Sequence, residues 1–274
     1  MTAHVDVIDL VSRLRAAEEP FALATVVRTV SVTAAKAGAK AVIRADGRIE
    51  AGWIGGGCAR GATLKAAREA LSDGRSRLVS IRPESLLHEL GIEPGEDREG
   101  VKFETNMCPS QGTMDIFIEP ILPRPLFVVL GASPVALALV EQAKPLGFQV
   151  GLAAPLDHLS NVPEVDLYFN GFGIDTAHKG QLFIVVSTQG RGDEAALKAA
   201  LAIEASYLGF VGSRRKMTAL RRKLTADGIP AARLETIRAP AGLDLGAITP
   251  EEIALSIIAE ITRLRRKDQR SPGR

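Results

Sequence analysis

The chain has 274 residues and a formal net charge of +2, with 46% hydrophobic and 24% charged residues. This composition is typical of an ordered globular protein, and the length favours two domains of ordinary size. The small net charge and the aromatic content of 4% argue against a nucleic-acid partner. One basic cluster follows the last helical pattern and is expected to be a solvated tail: Arg263, Arg265, Arg266, Lys267 and Arg270.

No apolar leader follows Met1, and the longest apolar run, residues 126–140, is shorter than a membrane span and contains Pro134. We therefore expect a cytoplasmic protein with no membrane span. The chain has only two cysteines, Cys58 and Cys108, so neither a disulfide framework nor a four-cysteine zinc site is expected. The four histidines share no ligand spacing with them, which argues against a structural metal site.

The N-terminal part alternates helical and strand patterns and is predicted to be an α+β domain. The predicted elements are a helix at 5–18, strands at 21–30, 40–44 and 47–52, a helix at 58–71, and strands at 76–81 and 112–118. Asp46-Gly47 is a turn pair that favours a two-residue hairpin. A polar connection with glycine and proline is expected around residues 91–100.

A stiff linker is predicted at residues 119–125, because its three prolines favour an extended segment and exclude helix. We place the domain boundary there, which gives an N-terminal domain at 1–122 and a C-terminal domain at 126–274.

The C-terminal part changes to an alternation of apolar strands and helices. The predicted elements are strands at 126–130, 148–153, 182–187 and 207–211, and helices at 134–145, 193–202 and 213–226. Such β-α-β alternation predicts a Rossmann-like, doubly wound parallel sheet, so the whole chain is expected to be an α/β protein. Thr249 and Glu252, on either side of Pro250, predict a capping box at the start of a last helix.

The turn after the first Rossmann strand is a candidate phosphate loop. Gly131 and Ser133 lie where a dinucleotide fingerprint would place its first two glycines, so Ser133 departs from the pattern. After the second strand, where an acid would bind a ribose, the chain has Ala153-Ala154-Pro155 and Asp157 comes late. We expect NAD(P) not to bind here, and the alternatives are an altered binding cleft and a purely structural turn.

A second strand-to-helix junction is a candidate anion site. It combines backbone N–H groups at Gly212, the hydroxyl of Ser213 and the cations of Arg214, Arg215 and Lys216. Cations are unfavourable at a helix N-terminus, so their presence favours phosphate binding, while an exposed basic turn is the alternative.

Two cysteine loops and one acidic loop complete the candidate sites. Cys58 follows the glycines Gly55, Gly56 and Gly57 in the first turn of a helix, where the dipole favours a thiolate. Cys108 lies in a turn-rich segment before a predicted strand, and the two thiolates are a candidate pair of soft metal ligands. Inert thiols remain the alternative for both. Asp244 ends a small-residue loop that either closes over a ligand or only packs.

The combined motifs resemble the XdhC/CoxI family. Ala24-Thr25-Val26-Val27-Arg28-Thr29, Gly38-Ala39-Lys40 and Gly52-Trp53-Ile54-Gly55-Gly56-Gly57-Cys58 are similar to its N-terminal domain, and residues 209–216 and 239–252 to its Rossmann-type C-terminal domain. The order of the motifs makes the combination specific. The Cys-Pro-Ser-Gln-Gly turn at Cys108 replaces an expected Cys-Gly-Gly turn, which favours the CoxF-like branch.

The resemblance implies a maturation factor rather than an enzyme. Such a protein binds molybdenum cofactor, as molybdopterin or its cytosine dinucleotide form, assists its sulfuration and protects it. It then delivers the cofactor to an apo molybdenum hydroxylase such as xanthine or carbon monoxide dehydrogenase. A cysteine desulfurase is a further candidate partner, and a homodimer is expected. In this interpretation Cys58 and Cys108 match the family's two cysteine positions, and residues 212–215 meet the cofactor's phosphate or nucleotide.

Two other functions stay open at this point. One is an NAD(P)-dependent oxidoreductase that uses the turn at Gly131, and the other is an assembly scaffold that binds the target enzyme and no cofactor.

Overall fold

The computed structural model describes residues 6–109, 111–175 and 177–267, except for the side chains of Cys58 and Lys267. Val5, the predicted first residue of the first helix, therefore lies outside the described residues. The chain forms two units, Met1–Pro123 and Arg124–Arg274.

The N-terminal unit is built on a mixed sheet with the strand order β3-β2-β1-β7-β4-β6-β5 among its described residues. Its elements are α1 (Val7–Ala16), β1 (Phe21–Val30), β2 (Lys40–Arg44), β3 (Ile49–Gly52), α2 (Gly57–Asp73), β4 (Arg77–Pro83), α3 (Glu84–Glu89), β5 (Asp97–Arg98), β6 (Val101–Asn106) and β7 (Thr113–Ile121). Neighbouring strands are antiparallel except for β4 and β6, which run parallel.

Helix α2 covers one face of this sheet because it presents a stripe of alanines. Ala66, Ala67 and Ala70 are buried at helical spacing and pack against strand residues such as Val79 and Ile116. The small side chains let the helix approach the sheet closely. The other face is partly covered by α1 and α3, whose buried leucines pack on separate small clusters.

Two predictions for the N-terminal unit were wrong. The connection around 91–100 is shorter than expected, since β5 begins at Asp97 and β6 follows at Val101. Three of the seven residues of the predicted linker, 119–121, belong to β7, which continues to Ile121. Pro120 is tolerated there because β7 pairs only with β1 beyond Ile118, so no second neighbour needs its missing N–H.

The C-terminal unit has a sheet with the strand order β10-β9-β8-β11-β12-β13, and every neighbouring pair is parallel. Its elements are β8 (Leu126–Leu130), α4 (Pro134–Ala143), β9 (Gln149–Ala154), β10 (Leu167–Asn170), β11 (Leu182–Val186), α5 (Asp193–Leu201), β12 (Tyr207–Phe210), α6 (Arg214–Ala226), α7 (Ala231–Glu235), β13 (Ile237–Arg238) and α8 (Pro250–Lys267), with short 3₁₀ turns at Lys144–Leu146 and Leu156–His158. The predicted α/β fold class with a Rossmann-like C-terminal part is confirmed.

Helices cover both faces of this sheet. Helices α4 and α8 pack on one face, where Phe127, Val129 and Ile257 are buried, and α5 and α6 pack on the other, around Val128 and Leu197. The strand order reverses between β8 and β11, which is the switch point where open α/β sheets bind ligands.

The last helix, α8, begins as predicted but ends later than predicted. The predicted capping box is present, because the Glu252 carboxylate accepts hydrogen bonds from the backbone N–H of Ile248 and Thr249. The predicted basic tail was wrong for Arg263 to Lys267, which form the last turns of α8. Arg265 lies 4.4 Å over the Phe148 ring, while Arg270 lies outside the described residues.

Within the part of the chain that is described, no helix combines the length and apolarity that crossing a bilayer requires.

Candidate functional site

Three loops of the N-terminal unit meet around one pocket of about 360 Å³, which lies at one end of the strands of the sheet. They follow β1, β3 and β6 and contribute residues 32–34, 55–57 and 106–108. The pocket floor is apolar and includes Ile81 and Met114 from β4 and β7. The two loops that carry the predicted glycines and Cys108 are therefore neighbours in space, although 50 residues separate Cys58 from Cys108 along the chain.

The glycine loop, residues 55–57, lines the pocket and has two positive φ angles that other residues adopt only with strain. Gly55 is buried with φ of +98°, and Gly57 has φ of +51°. Helix α2 begins at Gly57, and its N-cap, Gly56, offers no side chain to accept the hydrogen bonds of the first turn. Those N–H groups are therefore available to an electronegative atom in the pocket.

Asn106 holds the Cys108 loop in place from both ends. Its Nδ2 donates to the Gly112 carbonyl at 2.6 Å, and its Oδ1 accepts from the Cys108 N–H at 2.9 Å. The loop is closed further by the N–H of Gln111, which donates to the Cys108 carbonyl at 3.1 Å. Asn106 was missed in the sequence, although an asparagine two residues before the cysteine is typical of an Asx turn.

Gly112 ends this loop at a point where two backbone segments touch. A Cβ atom there would lie well inside contact distance of the Val32 carbonyl oxygen and 2.8 Å from the Thr33 side chain. Only glycine lets the loops after β1 and β6 approach this closely. Val32 and Thr33 also line the pocket and were not predicted as site residues.

Cys58 is the second residue of α2 and lies between Gly57 and Ala59, which both line the pocket. Its side chain lies outside what the structure describes, so the predicted pairing of the two thiols stays a prediction. Cys108 is exposed and lines the pocket. Among the described residues, no three histidine, cysteine or acidic side chains converge as they do in a metal site held by protein ligands alone.

The pocket mouth carries unusually exposed apolar side chains. Val32 is 70% exposed and Met107 is 77% exposed, and both line the pocket. Trp53, which precedes the glycine loop, is 53% exposed, and its ring reaches within 3.9 Å of the Cβ position at Gly56. Grouped exposed apolar residues of this kind are typical of interaction surfaces.

In the C-terminal unit, Gly131 and Ser133 lie at the switch point, at the carboxyl ends of the neighbouring strands β8 and β11. Gly131 has φ of +115°, and a Cβ there would collide with the backbone of Ser187 on the loop after β11. The Ser133 hydroxyl caps α4 by accepting from the Ala136 N–H and lies 2.7 Å from the Ser187 hydroxyl. Both residues thus have structural roles that need no ligand, while a cleft of about 290 Å³ adjoins the two serines.

The end of β9 has no acidic side chain in the position that binds a ribose. The strand ends at Ala154, and the following Leu156 N–H donates to the Asn170 side chain. Asp157 lies in the next 3₁₀ turn. The expectation that NAD(P) does not bind here stays a prediction.

The predicted anion site at Gly212 has fewer available cations than expected. Ser213 caps α6 through the Lys216 N–H, and Arg214 and Arg215 are exposed. Lys216 is paired with Asp193 at 2.8 Å. Burial alone would raise the pKa of Asp193, but hydrogen bonds from Lys216 and Thr188 hold that pKa below its ordinary value.

Asp244 is exposed in the loop before α8 and lies in the same unit as Gly131 and Gly212. The candidate residues of this unit thus occupy separate loops, and the N-terminal pocket is where the structure brings predicted residues together most closely.

Both units of the chain match models of known protein families. Residues 127–261 match the family model described as the XdhC Rossmann domain, and residues 14–82 match the model of the XdhC and CoxI family. A Bacillus halodurans xanthine dehydrogenase of known crystal structure aligns over 98% of both chains, with 19% identity and a TM-score of 0.44.

Two curated relatives match over large parts of the chain. The uncharacterized Escherichia coli (strain K12) protein YqeB is 29% identical over 255 residues, which are 90% of this chain and 44% of that protein. A probable xanthine dehydrogenase component of Bacillus subtilis (strain 168) is 28% identical over 163 residues, 57% of this chain and 47% of that protein. The chain spans less than half the length of either relative. Since the two family models together cover about three quarters of it, the chain belongs to the XdhC/CoxI family.

Proposed function

We propose that this protein is an accessory factor that binds molybdenum cofactor and matures a molybdenum hydroxylase of the xanthine or carbon monoxide dehydrogenase type. The observation that carries the proposal is the meeting of the glycine loop and the Cys108 loop around one pocket. The membership in the XdhC/CoxI family and the similarity to a probable xanthine dehydrogenase component support the same role.

The size and the chemistry of the pocket support this proposal. Its volume of about 360 Å³ lies within the range of small-molecule sites. The apolar floor at Ile81 and Met114 suits a flat ring system, and the first-turn N–H groups of α2 suit an anionic group. Cys108 would offer a soft sulfur ligand to molybdenum, with Cys58 as its proposed partner. Sulfur for the cofactor would come from a cysteine desulfurase.

The apolar residues at the pocket mouth fit delivery to a protein. A carrier must hold its cargo beside the surface that meets the acceptor, so that transfer does not pass through water. Val32, Trp53 and Met107 form such a surface next to the pocket. We propose that the apo-hydroxylase docks on these three residues.

The first prediction concerns cofactor retention. When the chain is produced together with the cofactor biosynthesis machinery, we expect the purified protein to contain a molybdenum-bound pterin identifiable by mass spectrometry. Cys108→Ser should lower the retained amount at least about tenfold, because a hydroxyl is a poor ligand for a soft metal. Cys58→Ser should act in the same direction, and Ser72→Ala, an exposed helical substitution on α2, should change nothing.

The same preparation separates the competing functions. The single tryptophan, Trp53, adjoins the pocket, so its fluorescence reports a ligand bound there. Absence of pterin together with micromolar binding of NAD or NADP would replace our proposal with the oxidoreductase alternative. Absence of every ligand, with tight binding of the apo-hydroxylase, would favour the scaffold.

We also propose a homodimer, formed through α8. Leu255 is 55% exposed, and Leu146, Ala259 and Thr262 line a groove beside it. When two α8 helices pair antiparallel about an axis near Ala259, each Leu255 meets Thr262 of the second copy. The acidic first turn at Glu251 then faces the basic end of the other helix, so the surface is complementary to itself in shape and in charge.

The second prediction tests this dimer by light scattering at micromolar concentrations. We expect the unchanged protein to be dimeric and Leu255→Glu to be monomeric, because the substitution buries a charge inside the interface, opposite Thr262 of the second copy. Leu156→Glu changes an equally exposed leucine outside the groove and should leave the dimer intact. Monomeric unchanged protein, or a dimeric Leu255→Glu variant, would rule out this interface.

A further inference from the structure

A polar row crosses three neighbouring strands of the N-terminal sheet. Arg28 on β1 lies opposite Asp115 on β7, which lies opposite Ser80 on β4. The Arg28 Nε donates to Asp115 Oδ2 at 2.5 Å, and the Ser80 hydroxyl donates to Asp115 Oδ1 at 2.6 Å. Arg82 extends the row, since its Nε donates to the Ser80 hydroxyl oxygen at 2.9 Å.

This row lies on the sheet face opposite the pocket. Side chains alternate between the two faces of a strand, and Met114 and Ile81, the neighbours of Asp115 and Ser80, line the pocket. Ser80 and Asp115 are only 1% and 8% exposed, so their hydrogen bonds form beneath the surface. The row is therefore a built polar cluster that is separate from the proposed cofactor site.

A β-bulge directs Arg28 into the row. The register of β1 against β7 shifts between Val26 and Arg28, where Val26 pairs with Ile116 and Arg28 pairs with Asp115. Without the extra residue, strand alternation would place Arg28 on the same face as Val26 and towards α2. Bulges often re-aim a side chain for a function, and this one brings a guanidinium onto the buried carboxylate.

The charges in the row do not balance. The row contains two guanidinium groups and one carboxylate, and both oxygens of that carboxylate already accept hydrogen bonds. Arg82 reaches Asp115 only through the Ser80 hydroxyl and forms no ion pair with any described residue. Likewise, within the described chain, no acceptor bonds the Nη atoms of Arg28 or Arg82.

Both guanidinium groups are held in place before any ligand arrives. The Arg82 guanidinium lies 4.9 Å from the centroid of the Phe103 ring while its Nε is fixed by Ser80. The Arg28 side chain is 55% exposed but is fixed by Asp115. Each arginine thus points its remaining N–H donors away from the anchored Nε, in the planar fork that matches oxygen anions.

We propose that Arg28 and Arg82 together bind a phosphate group on this face of the sheet. The two forks offer more donors than a carboxylate has oxygens, whereas a phosphate monoester has three terminal oxygens and a charge of nearly −2. The excess positive charge of the cluster is then neutralised. The shared chemistry is a terminal phosphate, supplied either as the free ion or as an ester of a small molecule.

The third prediction is tested by calorimetric titration of the full chain at constant ionic strength, with inorganic phosphate, phenyl phosphate, sulfate and acetate. Constant ionic strength removes general screening effects. We expect both phosphates to bind more tightly than acetate, and Arg82→Gln and Arg28→Gln to weaken them at least about tenfold. Arg82→Lys keeps the charge without the fork and should also bind more weakly. The matched control, Arg68→Gln, removes an exposed arginine from α2 on the other side of the sheet.

The outcomes separate the sources of the phosphate. Equal binding of both phosphates assigns the site to the ion itself, and binding of phenyl phosphate alone assigns it to an ester. The proposal fails if acetate binds as well as phosphate, if nothing binds, or if Arg68→Gln weakens binding as much as Arg82→Gln. Thermal unfolding in phosphate-free buffer checks that each variant is folded. Cys108→Ser should leave phosphate binding unchanged, so this test and that of the cofactor pocket can fail separately.

Discussion

Gly112→Ala is expected to abolish cofactor retention and to lower the free energy of unfolding by about 2–3 kcal/mol. The added methyl group would collide with the Val32 backbone and the Thr33 side chain, neither of which is the flexible end of a long side chain. Relief requires the loops after β1 and β6 to separate. That movement would stretch the hydrogen bond from Asn106 to the Gly112 carbonyl and displace Cys108 from the pocket.

Gly57→Ala is the matched control for this prediction. Gly57 lines the same pocket and has a left-handed backbone, but a Cβ there would meet no atom within 4 Å. Its cost should be limited to backbone strain, about 1–2 kcal/mol. Denaturation monitored by circular dichroism gives the stabilities, and mass spectrometry of the bound pterin gives the retention. If Gly112→Ala retained cofactor as well as Gly57→Ala does, the close approach of the two loops would be irrelevant to the site.

The strands that could be predicted from the sequence are the buried ones. Residues 126–130 and 182–186 are apolar throughout and buried in the centre of the Rossmann sheet, so their composition alone identifies them. The missed strand β6 has six residues and lies between β4 and β5, whereas the missed strands β5, β10 and β13 lie at sheet edges and have two to four residues. Such strands form because a neighbour already offers a hydrogen-bonding edge, which is a tertiary effect with no local signal.

The candidate site could be predicted only in parts. The glycine loop and Cys108 were identifiable because glycine runs and isolated cysteines are visible in the sequence. Their proximity was not, because it depends on β7 lying between β1 and β4, a pairing that leaves no trace in composition. The third loop, residues 32–34, carries no charged or sulfur-containing side chain and contributes shape alone.

The candidate anion site at Gly212 shows what a local pattern cannot reveal. Three consecutive cations at a helix start favour phosphate binding when they are considered alone. In the folded unit, Lys216 turns back to the carboxylate at the start of α5, where Asp193 also accepts from the Thr188 hydroxyl at 2.5 Å. Asp193 follows β11 and Lys216 follows β12. Their ion pair therefore depends on the parallel pairing of these two strands, which the local sequence does not show.

Glu260→Ala is expected to cost about 3–5 kcal/mol, the largest stability effect in the C-terminal unit, because it removes the common acceptor of a buried cluster. The Glu260 carboxylate accepts from the Tyr207 hydroxyl at 2.8 Å and the Gly242 N–H at 2.9 Å, and it pairs with Arg238 at 3.2 Å. Burial, followed by the hydrogen bond to Glu260, raises the pKa of Tyr207 above its ordinary value, so the phenol stays a proton donor.

The cluster joins α8 to the loop that precedes it. Glu260→Ala should therefore increase local opening of this loop as well as lower the global stability. Hydrogen exchange followed by mass spectrometry should show faster exchange in the segment around Gly242 and along α8, since the Leu243 N–H donates to Ser256 on that helix. Tyr207→Phe removes one donor while Glu260 keeps its other two partners, and it should cost only about 1 kcal/mol. Glu251→Ala, on the exposed first turn of the same helix, should cost less than about 1 kcal/mol, because it removes only a surface charge at the helix N-terminus. The Glu260 carboxylate has three partners on different elements, whereas Glu251 lies exposed on the first turn of α8. If the two glutamate variants were equally stable, the prediction would be wrong, and the loop before α8 would be held by apolar packing alone.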